Sequence, residues 1–110
     1  MQYILLICLD ESFRPPEALE PEVIAWVEEL RRRGMRISGD RFRPVSDAKT
    51  VRVRGGEVLL ADGPFAQTKE QILGYELIEG ASLDEAVRAA SQHPMARLGT
   101  VEVRQIWKTH

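Results

Sequence analysis

The chain has 110 residues, 44% hydrophobic and 29% charged, the size and balance of one globular domain spanning residues 1–110. That composition is too apolar for a disordered chain, and the formal net charge of −2 offers no global field for nucleic acid, so no direct nucleic-acid binding is expected. A single cysteine, Cys8, excludes an internal disulfide framework and suits a reducing compartment.

Residues Gln2 to Leu9 are β-prone and nearly all apolar, as in a central strand covered on both faces. Cys8 lies in this run and reads as a buried small hydrophobe. Its neighbours Asp10 and Glu11 would raise its pKa, against a nucleophilic role. The run is too short to cross a membrane and lacks the basic start and cleavage site of a secretory signal, so a cytoplasmic protein without membrane contact is expected. Asp10 to Glu20, with Pro15 and Pro16, reads as a loop. Pro21 suits the first turn of a helix, and Val23, Ile24, Val27 and Leu30, beside Trp26, make its apolar stripe. Arg31, Arg32 and Arg33 fall at the helix end, where cations meet the negative end of the dipole; a phosphate-binding run is the alternative.

Gly34 ends this helix, and Met35 to Phe42 form the second strand. Asp47-Ala48-Lys49 is a turn. Thr50 to Arg54 alternates like a strand with one solvated face, Gly55-Gly56 signals a two-residue hairpin, and Glu57 to Ala61 returns. Asp62-Gly63-Pro64-Phe65 interrupts regular structure, Gln67 to Gln71 makes a short helical turn, and Ile72 to Glu79 is a further strand. Ser82 caps the next helix with Glu85 three residues on, and Leu83, Ala86, Val87 and Ala90 form its buried stripe. His93-Pro94 ends that helix, and Thr100 to Trp107 is the last strand.

Setting the hairpin aside leaves two β-α-β halves, so the fold class expected is α+β and ferredoxin-like with an inserted β-hairpin. Two helices then cover one sheet face and leave the other bare. A second sheet from a partner chain is the simplest cover, hence a homodimer resembling an α/β-barrel. A monomeric, monodisperse species at micromolar concentration would count against it.

The run Asp62-Gly63-Pro64-Phe65-Ala66, then Thr68-Lys69-Glu70 and Gly74, with the closing Pro94, Gly99, Thr100 and Val101-Glu102-Val103-Arg104, resembles the DGPF-motif branch of the YCII-related family. In element order the resemblance covers essentially the whole chain, with departures at Gln67, Leu73 and Gln105. It implies a ferredoxin-like dimer with a small cleft. It also implies, for a few members, a lyase or dehalogenating activity on small oxidised rings through a His–Asp pair. The helix from Val23 to Arg33 holds no histidine, so that pair does not carry over directly. The branch often accompanies alternative sigma factors, which implies a second possibility, a non-catalytic accessory or interaction protein.

The polar residues admit paired readings. Asp62 ends an apolar strand before Gly63-Pro64 and is the first catalytic candidate, as a general base or ligand acceptor; an Asx-type turn cap is the structural alternative. Thr68, Lys69 and Glu70 follow the turn as candidate substrate-binding groups, Lys69 neutralising a carboxylate while Glu70 orients or deprotonates the ligand. As a structural pair they would lock the local turn. Arg104, alternating with Val101 and Val103, is positioned to reach Asp62 or Glu70 as a pocket wall or scaffold. His93 either caps a helix end or serves as acid–base catalyst. His110 is terminal, with fraying expected. No ligand spacing for a metal and no cofactor fingerprint is present, so a cofactor-independent small-molecule binder or lyase is the expected class.

Overall fold

The computed structural model describes residues 1–10 and 12–108; the expectations for Glu11 and His110 lie outside them. The apolar opening run forms β1 (Gln2–Asp10), followed by α1 (Leu19–Arg32), β2 (Arg36–Arg41), β3 (Lys49–Arg54), β4 (Glu57–Asp62), β5 (Glu70–Glu79), α2 (Leu83–Ser91) and β6 (Thr100–Gln105). Short 3₁₀ turns precede β3 and β6 at Val45–Asp47 and Pro94–Arg97. Four strands make an antiparallel sheet in the order β2-β5-β1-β6, and β3 and β4 form a separate two-stranded sheet. The result is an α+β fold compatible with the ferredoxin-like pattern, with the hairpin outside its main sheet.

Alternation along β1 divides the sheet. Tyr3, Leu5, Ile7 and Leu9 are buried, while Ile4, Leu6, Cys8 and Asp10 stay partly accessible. Tyr3, Leu5 and Ile7 pack beneath Trp26 and Leu30 of α1 and Ala86, Ala89 and Ala90 of α2, with Met35 and Ile78 completing the core. A fully buried Leu or Ile contributes roughly 1.5–3 kcal/mol, so this single layer carries most of the stability. β1 is central as expected, but within one chain only one of its faces is covered. Cys8 accordingly lies half-buried on the open face rather than in the core.

The helix faces also differ from the expected stripes. In α1 the buried residues are Leu19, Trp26 and Leu30, with Ile24 at the surface. In α2 they are the three alanines, and Leu83 and Val87 face outward. Small residues there let α2 lie close to the sheet, and α1 brings the bulk through Trp26. Ser82 does cap α2, its hydroxyl accepting from the Glu85 N–H at 3.2 Å. The three arginines occupy the end of α1, where Arg32 pairs with Glu29. The expected helical turn at Gln67–Gln71 is absent; Glu70 and Gln71 already belong to β5, and the Gln71 amide donates to the carbonyls of Ala66 and Thr68.

Two polar groups sit under the helices. The Glu76 carboxylate accepts from Arg36 Nε at 3.0 Å while Arg36 Nη2 donates to the Gly39 carbonyl. A Cβ on Gly39 would lie 2.1 Å from Glu76 Oε2, so the pair needs glycine there. Burial nonetheless pushes the Glu76 pKa up, outweighing the nearby guanidinium. His93 packs edge-on against Trp26, ring centroids 4.7 Å apart, and its Nδ1 accepts from the Met95 N–H at 3.0 Å. Burial lowers its pKa to about 4, so near neutrality it is a neutral cap of the 3₁₀ turn rather than a helix-end cation.

Between pH 6.5 and about 4 the unfolded chain binds a proton at His93 that the folded chain refuses. Stability present above that window is therefore lost as pH falls through it. Glu76, with its raised pKa, slopes the opposite way, losing stability as pH rises. Urea titrations at pH 7 and 4.5 should show a loss on acidification that is smaller in His93→Gln by roughly 2 kcal/mol.

Candidate functional site

The open face of the sheet ends in a shallow cleft of about 660 Å³ lined by Cys8, Asp10, Thr68, Lys69, Glu70 and Thr100. Register explains the convergence. β1 ends opposite the beginnings of both neighbours, with Asp10 across from Glu70 and Cys8 across from Thr100. Three strand ends thus deliver polar side chains to one place. Gly99 makes the approach possible, because a Cβ there would lie 2.2 Å from the Cys8 carbonyl oxygen. A bulge between Ile7 and Cys8, opposite Gly74 and Ile72, keeps Cys8 and Ile72 on the same face.

Two carboxylates directly opposed across strands repel one another, and the surroundings offset this. Asp10 Oδ1 accepts from the Ser12 hydroxyl at 2.7 Å and the Ser12 N–H at 3.0 Å. Those bonds, helped by Lys69 with its Nζ 3.9 Å from Oδ2, hold the Asp10 pKa below the usual range. The Thr100 hydroxyl lies 3.3 Å from each Glu70 oxygen. Thr68 donates from its hydroxyl to the Glu70 carbonyl at 2.6 Å, fixing the entry to β5. Lys69 is otherwise exposed, an ammonium free to turn toward a ligand. Desolvation, with Glu102 and Glu70 adding to it, raises the Cys8 pKa, so the thiol stays protonated at neutrality.

Of the residues singled out from sequence, Thr68, Lys69 and Glu70 line the cleft. Asp62 stands at the base of the β3–β4 hairpin, exposed, in an ion pair with Lys49. Around it the Gly63 N–H donates to the Ala48 carbonyl at 2.7 Å and Thr50 donates to the Gly63 carbonyl at 2.8 Å. Gly63 has φ +88°, in the left-handed region that favours glycine, and Phe65 is exposed beneath the Arg52 guanidinium. Arg104 lies on the open face with its nearest carboxylate at Glu102, 3.8 Å away. His93 is on the helix side of the sheet. Asp10 and Thr100 were missed. Asp10 carried the signal used for Asp62, a carboxylate ending an apolar strand; the central position of that strand distinguishes it. Among the described residues, no three His, Cys, Asp or Glu side chains converge as metal ligands.

A family model for the YCII-related domain matches residues 1–110. The chain belongs to the YCII-related family. This YCII-related chain is also similar to the "Uncharacterized protein R00369" of Rhizobium meliloti (strain 1021), 47% identical over 68 residues. The match covers 60% of the chain and 55% of that relative, so it spans little more than half the relative's length. No helix among the described residues is long and apolar enough to cross a membrane.

Two outcomes test the geometry. Gly99→Ala should cost about 1–3 kcal/mol of stability by forcing β6 off β1, measured by denaturant unfolding. Cys8 should react with a disulfide reagent more slowly at pH 8 than a free thiol does, and the rate should rise only at higher pH.

Proposed function

We propose that the chain binds a small organic acid or phenol in the cleft at the strand ends, as a cofactor-independent binder or lyase-type enzyme. The observation that supports this most is the convergence of Asp10, Lys69, Glu70 and Thr100 from three strands onto an uncovered face. Opposed carboxylates are a poor choice for stability alone, which favours a functional reason for placing them together. In this assignment Lys69 neutralises an anionic oxygen of the ligand. Glu70, held by the Thr100 hydroxyl, accepts a proton or a hydrogen bond from it. Asp10, already saturated on one oxygen by Ser12, orients Lys69. Cys8 contributes a neutral thiol to the floor. A homodimer completes the site, the second copy covering the open face. Trp107, 86% exposed, favours a second reading, a non-catalytic accessory protein docking a partner near the last strand.

Thermal-shift screening against small acids, quinones and phenols decides between them. A ligand at about 100 times its dissociation constant adds roughly 2.7 kcal/mol of apparent stability. The shift expected in the wild type should vanish in folded Lys69→Met and shrink in Glu70→Gln, and it should survive in Asp62→Ala. Loss in Asp62→Ala with retention in the other two would move the site to the turn. No shift across the panel would favour the accessory role.

A further inference from the structure

Among the described residues the β3–β4 hairpin joins no other strand of its own chain. Register puts Val51 opposite Leu60 and Val53 opposite Val58, so these four side chains share one face. They are 56–68% exposed, although each is strongly apolar. The strands pack chiefly on each other. An isolated two-stranded hairpin is at best marginally stable in water, and a contiguous bare apolar face marks an interaction surface. The molecule measures 48 × 41 × 18 Å with a radius of gyration of 15.8 Å, against roughly 13 Å for a compact chain of this length. An arm of six residues per strand reaches roughly 20 Å.

We propose that this arm is an exchange element: its apolar face seats on the open sheet face of a second copy of the chain and forms the wall that closes the partner's cleft. The proposal rests on the small-molecule assignment for the purpose of that wall, and on separate observations for the docking itself. The same chain carries a second uncovered apolar surface, where Ile4, Leu6, Tyr75, Leu77 and the 45% exposed Ile72 line the open face. One two-fold axis covers both surfaces twice, since each arm reaches the sheet of the other copy. On the seating face the charged side chains are Lys49 and Asp62, which pair with each other, while Arg52, Arg54 and Glu57 alternate onto the opposite face and stay in water. The arm also springs from the correct end. It leaves β2 after Arg41, which pairs with Gly74, and rejoins at Glu70, so its root lies beside the cleft. Gly55 and Gly56, both with positive φ, close its tip as a tight turn, and the Lys49–Asp62 pair with the Gly63–Ala48 hydrogen bond closes its base. The Asp-Gly-Pro-Phe turn is then the hinge of the arm.

Val58→p-benzoylphenylalanine subunits, half of them ¹⁵N-labelled, should crosslink under light to β1 or β5 peptides of the opposite label. Light scattering should give a dimer for the wild type, and Val53→Lys with Val58→Lys should raise the dimer dissociation constant at least tenfold with the helical circular dichroism retained. A monomeric wild type, crosslinks confined to one label, crosslinks to another surface, or an unchanged dimer in the lysine variant would each overturn the arm. Ligand shifts recorded on the same samples separate the two assignments. A wild type that binds ligand but crosslinks elsewhere keeps the cleft and loses the arm; mixed-label crosslinks to β1 or β5 with no ligand from the panel keep the arm and lose the ligand.

Discussion

Alternation along β1 governs the rest of the molecule. Its odd-numbered residues Tyr3, Leu5 and Ile7 are taken up by α1 and α2, which fixes that face as core and leaves Ile4, Leu6, Cys8 and Asp10 on the other. A one-residue slip would exchange the two sets, so the register with β5 and β6 is strongly held. Because β1 is flanked on both sides, whatever its open face displays at its end meets what its neighbours display at their beginnings. The Asp10, Glu70 and Thr100 cluster follows from that register.

Glycines tune how closely the parts approach. Gly99 lets β6 begin against the Cys8 carbonyl, and Gly39 leaves room for the Arg36–Glu76 pair under the sheet edge. Both are places where a side chain would collide with an atom already committed elsewhere. Gly63 serves another purpose: its left-handed backbone turns the chain at the foot of the hairpin, and the surrounding bonds tie 48, 50 and 63 together. The motif around it therefore acts in the structure as a joint, with Asp62 engaged by Lys49.

Much of the fold was legible because its signals are local. The Gly55-Gly56 hairpin, the Ser82 cap, the stop at His93-Pro94 and the alternation of Val101 and Val103 with Glu102 and Arg104 each depend on neighbours within a few residues. The helix stripes were less legible. Hydrophobicity alone favoured Leu83 and Val87 as core, yet the close approach of α2 selects Ala86, Ala89 and Ala90. Periodicity ranks apolar positions by type, and packing ranks them by volume. Thr68, Lys69 and Glu70 were found from their cluster in the chain, whereas Asp10 and Thr100 are separated from them by about sixty and thirty residues and meet them only across the sheet.

By itself the sequence determined the order of the strands and helices, the Gly55-Gly56 hairpin turn, the central place of its most apolar strand and membership of the YCII-related family, since these follow from backbone preference, residue period and motif. Tertiary structure decided which carboxylates face one another, that His93 is buried and neutral while Cys8 is half-open, and that the hairpin stands clear of its own sheet. Strand register and burial are relations between distant segments. They depend on which faces find cover, and composition along a single segment carries no record of that.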